Sequence, residues 1–450
     1  MKPLRWLLLL TAILAVNSWR ATVARSGPTA VTIDGARRFQ VLDGVGVNIN
    51  SLSWRGGEAR AAIDRLADEM GVTLWRVVFD MEDWEATNDN DDPTAADQAY
   101  YTALYSNAKF QNLWGTLHYL NQRGVTSGIS ISFMGRVPPW MGASVITPAS
   151  EDEWVEMIAT FVAYARGVEH VQFEMLDPLN EPDWDGLEGP KVGAAQYTRL
   201  LHKLATRLEA GYEDVRFLGP NTADLGAGVS DYIPSLMSDP LVMARIDHFG
   251  LHSYGASTGG ADAAIKASSF SGRNFWMTEF SLPADVPNLL AGNASALIMW
   301  DGYDSVYNHA ILGGHGDQPP NDAGNGPAPL SYDGRTGRYA ARPEFYQFAA
   351  LFKHVSAGSQ RVGSTSANPD LSILAFVHWE HERLTLIGRN GSASPVTVVA
   401  ALEAVRAPAV MQVYLTSATA LVRGDDATVR EGRLEFTVPG GSYYVVTGTP

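Results

Sequence analysis

The stretch Val171-Gln172-Phe173-Glu174-Met175-Leu176-Asp177-Pro178-Leu179-Asn180-Glu181-Pro182 decides the fold. Val171 to Met175 reads as a buried strand that delivers Asn180 and Glu181 at its C-terminal end. A second run of the same kind, Asn274-Phe275-Trp276-Met277-Thr278, ends at Glu279. Both sit in a chain that alternates strand-like and helix-like segments. Apolar residues at helical spacing predict helices over 58–70, 110–123, 151–166 and 195–208, the first two stopped by Gly71 and Gly124. Between them lie continuous apolar runs, such as Leu74 to Phe79 and Gly128 to Phe133, of the kind that parallel strands buried on both faces show.

Counting from Val45 to Trp300 gives eight strand-like runs. Eight strand–helix units fit an α/β architecture, the (β/α)8 TIM barrel. Every polar candidate falls at the C-terminal end of its run, the face on which barrel active sites sit. Residues 313–341, rich in Gly, Pro, Asn and Asp, predict a long loop after the eighth strand. An aromatic-rich helix is expected over 343–354. From Ser356 the period changes to two, which predicts a C-terminal all-β sandwich domain. The expected organisation is a signal segment at 1–25, N-terminal strands at 26–43 that join the β-domain, a catalytic barrel at 44–354 and the sandwich at 355–450. The N-terminal strands are read as two short ones around Asp34-Gly35.

Lys2 and Arg5, then the apolar run Trp6 to Val16 and a small-residue site near Ala21 to Ala24, have the form of an export signal. The run is short for a membrane span. The protein is therefore expected to be secreted or periplasmic, with no stable membrane association once the signal is gone; an uncleaved anchor is the alternative. There is no cysteine, so neither disulfides nor a Cys-based zinc site is possible. The formal charge is −16, and −20 without residues 1–25, which carry four basic residues and no acid. A surface that acidic repels nucleic acid. It leaves neutral polysaccharides open, and 12 Trp and 17 Tyr supply rings that can stack on sugar faces.

Two carboxylates at strand ends are what retaining glycoside hydrolysis needs: an acid that donates a proton and an anion that attacks a sugar carbon. Glu181 is the candidate acid/base and Glu279 the candidate nucleophile. The substrate-side candidates are Arg76, Trp140, Asn180, His252, Tyr254 and Trp300. Asn180 is suited to a sugar hydroxyl, Arg76 to keeping Glu279 ionised, Tyr254 to a hydrogen bond with Glu279, and the tryptophans to stacking. His252 and Tyr254 lie two apart, so they share one face of a strand. No metal or cofactor is expected. Asp89-Asn90-Asp91-Asp92 lacks the glycine and distal glutamate of a calcium loop and reads as a solvated loop. Gly44-Val45-Gly46 lacks the rest of a dinucleotide fingerprint. Two alternatives stay open: a carbohydrate-binding protein on a degenerate barrel, and an inverting enzyme.

Asn180-Glu181-Pro182, His252-Ser253-Tyr254, Glu279 and Trp300 resemble the site residues of clan A glycoside hydrolases. Leu42-Asp43-Gly44-Val45-Gly46, Pro138-Pro139-Trp140-Met141, and Phe345-Tyr346-Gln347-Phe348 through Val355-Ser356-Ala357-Gly358-Ser359 look most like glycoside hydrolase family 30. Gly-Val-Gly stands where that family usually has an aromatic between the glycines, and the usual Ser-Pro-x-Trp opening is missing from the third-strand loop. Families 5, 39 and 79 therefore stay open. The resemblance covers roughly residues 31 to 450. It implies a barrel with a side β-domain, a retaining mechanism, Glu181 as acid/base and Glu279 as nucleophile. It also implies a β-linked polysaccharide or oligosaccharide as substrate.

Overall fold

A computed structural model describes residues 27–81, 84–184, 188–305, 328–333 and 335–449. Eight parallel strands close into a barrel. They are Gly44–Asn50, Leu74–Asp80, Ile129–Met134, Met175–Asp177, a fifth split into Arg216–Phe217 and Gly219–Pro220, His248–His252, Asn274–Glu279 and Ala296–Met299. Strand eight returns to strand one through Ala296 opposite Gly44. The two halves of strand five join strands four and six. The fourth strand starts later than the apolar run at 171–175 suggested. It is also short, because the backbone turns into the Asn180-Glu181 loop three residues after Asp177.

Alternation along strand two shows how the barrel is filled. Trp75, Val77 and Phe79 face outward into the main core, against the helices. Leu74 faces inward, in a bottom layer with Met175, Leu218, Trp276, Ala296 and Ile298. Val78 faces inward nearer the top, beside Met134 and Trp300. Arg76 lies between these two apolar layers and is fully buried. The middle of the barrel is therefore polar, and it is from there that the site is built.

The second sheet runs Leu421–Arg423, Val410–Thr416, Ala427–Arg430, Arg433–Val438, Val396–Glu403, Thr29–Val41, Gln360–Ser366, Leu371–His378, Arg383–Asn390, Tyr443–Gly448. Val410–Thr416 also pairs with Tyr443–Gly448, so the expected sandwich is stitched into a closed, barrel-like sheet. Period two is plain on Leu371–His378. Leu371, Ile373, Ala375 and Val377 fill the interior of this sheet, while Leu374 and Phe376 pack into the core it shares with the barrel. In place of two short strands around Asp34-Gly35 there is one strand, Thr29–Val41. It is continuous because the irregularity is absorbed as register shifts between Asp34 and Arg38 and between Arg38 and Val41.

The helices at Ala108–Gln122, Glu151–Gly167, Ala194–Leu208 and Pro343–Phe352 match the periodic segments. The segment at 58–70 is a short α-helix, Arg60–Arg65, that widens into a π-turn over Leu66–Met70. Most of the loop expected at 313–341 lies outside the described residues. Its end forms a hairpin, Leu330–Asp333 with Arg338–Ala341.

Candidate active site

Arg76 organises the site from below. Its Nε donates to Asp177 Oδ2 at 3.0 Å, and Nη2 donates to Asp177 Oδ2 and Asn180 Oδ1, each at 2.5 Å. Nη1 donates to Glu279 Oε1 at 2.6 Å and to Asn48 Oδ1 at 2.8 Å. A guanidinium has five N–H donors, and protein acceptors take all five. Arg76 therefore stands behind the carboxylates with every donor engaged by the protein. Burial pulls its pKa down, but Asp177 and Glu279 outweigh that and hold it charged.

Glu279 ends strand seven and is buried, with 3% exposure. One carboxylate oxygen takes Arg76. The other accepts from the Tyr254 hydroxyl at 2.5 Å. Tyr254 is exposed along one flank, yet its phenol is pushed well above its usual range, by burial and then by the neighbouring Glu279 carboxylate. His252 lies between the two acids. Its Nδ1 is 3.0 Å from Glu181 Oε1 and its Nε2 is 3.4 Å from Glu279 Oε1. Burial lowers the imidazole to about 4, so the ring is neutral near pH 7 and carries one proton between two carboxyl groups.

Glu181 sits in the opposite electrostatic condition. Burial and the nearby Asp183 push it up to about 8, against the lowering influence of Arg76. Its backbone is left-handed, with φ of 42°, a conformation that costs a non-glycine residue on the order of 1–3 kcal/mol and clusters at functional sites. The amide is held by a bond to Asn221 O at 2.9 Å. Gly189 covers the same turn: a Cβ there would meet Asn180 O at 1.8 Å, so only glycine can approach so closely. Asn180 is fully buried, with Oδ1 on Arg76 and Nδ2 on Glu188 O at 3.3 Å. Its amide is committed to the protein at both ends, with one Nδ2 proton left over.

Glu181, His252 and Glu279 present donor atoms that all lie within 4.8 Å of one another. Trp300 closes strand eight, 8% exposed, over Val78 and Met134. Trp140 stands farther out, half-buried, with its indole N–H on Glu85 O at 2.8 Å. Several residues of the site escaped sequence reasoning. Asp177 and Asn48 anchor Arg76. Thr278 donates to Asn221 Oδ1 at 2.5 Å, fixing the residue whose carbonyl holds Glu181. Glu188 adds another carboxyl, raised well above its usual range by burial and then by Glu181 and Glu279, with Asp80 and Asp301 beyond. Asp177 and Asn48 are short polar residues within or beside apolar runs, which is the one signal that marks them.

No family model matches the sequence, and no curated protein matches it. Solved structures do. A glycoside hydrolase family 30 subfamily 8 xylanase from Clostridium acetobutylicum superposes with TM-score 0.70 at 18% identity, over 94% of this chain and 100% of that one. An endo-β-1,6-glucanase superposes with TM-score 0.66 at 13% identity, over 94% of each chain. A family 39 β-xylosidase from Caulobacter crescentus gives 0.58 at 14% identity, over 94% of this chain and 100% of that one. At such identities the likeness is one of fold, and the fold of this chain, barrel and closed β-domain together, is the clan A, family-30-like fold that these glycoside hydrolases share.

Proposed function

We propose that the protein is a retaining glycoside hydrolase that cleaves β-linked polysaccharides or oligosaccharides, with Glu279 as nucleophile and Glu181 as acid/base. The observation that carries this reading is that a carboxyl oxygen of Glu181 and one of Glu279 lie within 4.8 Å of each other, in unlike surroundings. Retaining enzymes hold the pair about 5–5.5 Å apart, and inverting ones about 6.5–9.5 Å to admit a water. Glu279, held by Arg76 on one oxygen and Tyr254 on the other, is aimed as an anion at the anomeric carbon. Glu181 stays protonated up to about pH 8 and gives its proton to the leaving oxygen. It then takes a proton from the water that releases the sugar. Neutral His252 adds no positive charge that would ionise Glu181 early. The β-linked xylan and glucan named for the structural neighbours support that substrate class.

The test is to incubate the purified protein with β-linked xylans, glucans, galactans and aryl glycosides, and to follow the anomeric configuration of the first-formed product by NMR. Release of sugar with the β-configuration retained is expected. An α-anomer would sink the retaining mechanism. Binding without turnover would favour the carbohydrate-binding alternative. Export rests on residues 1–25, which lie outside the described residues, and N-terminal sequencing of protein recovered outside the cytoplasm tests it.

A further inference from the structure

We propose that Thr278 and Asn221 are positioning residues for the acid/base. The Thr278 hydroxyl, next to the nucleophile in the chain, holds the Asn221 amide, and the Asn221 carbonyl holds the backbone from which Glu181 acts. Glu181 is the proton donor in the retaining reading above, on which this assignment rests. The two acids are held differently. Glu279 is tied at its carboxylate, by Arg76 on one oxygen and Tyr254 on the other. Glu181 has no such pair of ties. His252 meets its Oε1 at 3.0 Å, and its buried Oε2 has no hydrogen-bond partner among the described residues. The place of that carboxyl is therefore set by the main chain that carries it.

That main chain is fixed through Asn221. Both residues have left-handed backbones, with φ of 42° at Glu181 and 50° at Asn221, and the Glu181 N–H donates to Asn221 O at 2.9 Å. Asparagine visits this conformation more readily than most residues, which suits position 221. Away from glycine it persists only where the surroundings over-determine it. Around Asn221 they do. Its N–H donates to Gly250 O at 2.9 Å, and its Nδ2 donates to Leu218 O at 3.0 Å. The second bond decides which way the amide points, so it is Oδ1 that faces Thr278. Gly250 makes the room, because a Cβ there would meet Asn221 Oδ1 at 2.0 Å.

The Thr278 hydroxyl completes the brace. It lies 2.5 Å from Asn221 Oδ1 and 3.0 Å from Leu251 O. Both are acceptors, so its one proton is donated, and the shorter contact takes the larger share. The Thr278 carbonyl in turn accepts from Asn48 Nδ2 at 2.9 Å, Asn48 Oδ1 accepts from Arg76 Nη1, and Nη1 also donates to Glu279. Asn221, Thr278, Asn48 and Arg76, all fully buried, thus join the Glu181 amide to the Glu279 carboxylate by hydrogen bonds. The place of one acid is referred to the place of the other. A double displacement needs this, because proton donor and nucleophile must meet the same bond from fixed positions.

The test is how the rate responds to the leaving group. Thr278→Val keeps the shape of the side chain and removes the hydroxyl, and Thr278→Ser keeps the hydroxyl. The substrates are the polysaccharide that the purified wild type cleaves and aryl β-glycosides of the sugar it releases, from 2,4-dinitrophenyl, which leaves without a proton, to phenyl, which needs one. Thr278→Val should lose about 10–10²-fold in kcat/KM on the polysaccharide and the phenyl glycoside and little on the dinitrophenyl one. Its plot of log kcat/KM against leaving-group pKa therefore steepens, and Thr278→Ser should restore the wild-type slope. Asn221→Gly keeps the left-handed backbone open and removes the amide. It should steepen the plot likewise, and it serves if Thr278→Val does not fold. An equal loss on every leaving group would overturn the assignment, since damage to the barrel or to Glu279 does not discriminate among them. So would a slope as steep in Thr278→Ser as in Thr278→Val. A wild type that hydrolyses nothing sinks the retaining reading and this assignment with it, whereas an active wild type with unchanged slopes in the variants sinks this assignment alone.

Discussion

The barrel holds two groups of buried carboxyls, and they differ in what neutralises them. Around Glu279 the counter-charge is built into the chain: Arg76 reaches Glu279 and Asp177 together, and Tyr254 and His252 fill the remaining positions. Around Glu85 and Glu156 no side-chain cation stands within ion-pair distance among the described residues, and Glu85 rests on neutral donors, the Tyr101 hydroxyl and the Asp89 amide. Both groups contain glutamates raised to about 7 or 8. A raised carboxyl alone therefore does not mark a catalytic acid. The first group adds what the second lacks, a raised carboxyl beside a second carboxyl that an arginine of the protein pairs, Glu279 on Arg76.

That contrast breaks if Glu279 proves dispensable. Glu279→Gln keeps the hydrogen-bonding outline and removes the charge, so hydrolysis should fall to background while the circular dichroism spectrum stays native. Glu181→Gln should lose about 10²–10⁴-fold on polysaccharide, the usual worth of a general acid, and less on aryl glycosides whose leaving groups need no proton. In the wild type kcat/KM should decline above pH about 8, as Glu181 gives up its proton, and a profile flat to pH 10 would contradict the assignment.

Stability sharpens the same comparison. The folded-state pKa of Glu181 is raised from 4.5 to about 8. Its contribution to stability is complete below about 4.5 and is lost as pH rises through 8. Glu181→Gln removes that loss, so the variant should exceed the wild type by a few kcal/mol in urea unfolding at pH 9, with the gap closing by pH 4.5. Arg76→Ala strands Glu279 and Asp177 in the barrel and should cost about 3–5 kcal/mol in the same assay near pH 7. The smallest effect belongs to the loop surface: Asp91→Asn should shift stability by about 0.5 kcal/mol or less and leave turnover unchanged.

The eight barrel strands were legible because strands buried on both faces are written as unbroken apolar runs, and Glu181 and Glu279 stood out as charges where those runs stop. Arg76 was visible as a charge inside such a run. Its depth was not, because its partners Asp177, Asn180 and Glu279 lie on strands far along the chain and only closure of the barrel brings them together. The left-handed turn at Glu181 and the glycine that covers it were equally silent. Short, exposed strands such as Leu421–Arg423 and Ala427–Arg430 carry no apolar alternation for a pattern to catch. At Asp89 and Asp91 the letters are the same, and hydrogen bonds from Asn90 and the Asp97 amide separate the half-buried one from the exposed one.

The place of strand Thr29–Val41 has a consequence for how the chain is made. It lies between Val396–Glu403, which it meets in parallel, and Gln360–Ser366, which it meets antiparallel. A ribosome releases this strand first and its partners after the whole barrel has emerged, so the segment must wait unpaired while the barrel assembles. The barrel can therefore form during synthesis, whereas the β-domain can close only once the last strand, Tyr443–Gly448, is free. Cutting the chain between the two would strand Thr29–Val41 on the wrong fragment and open two bare sheet edges in the other.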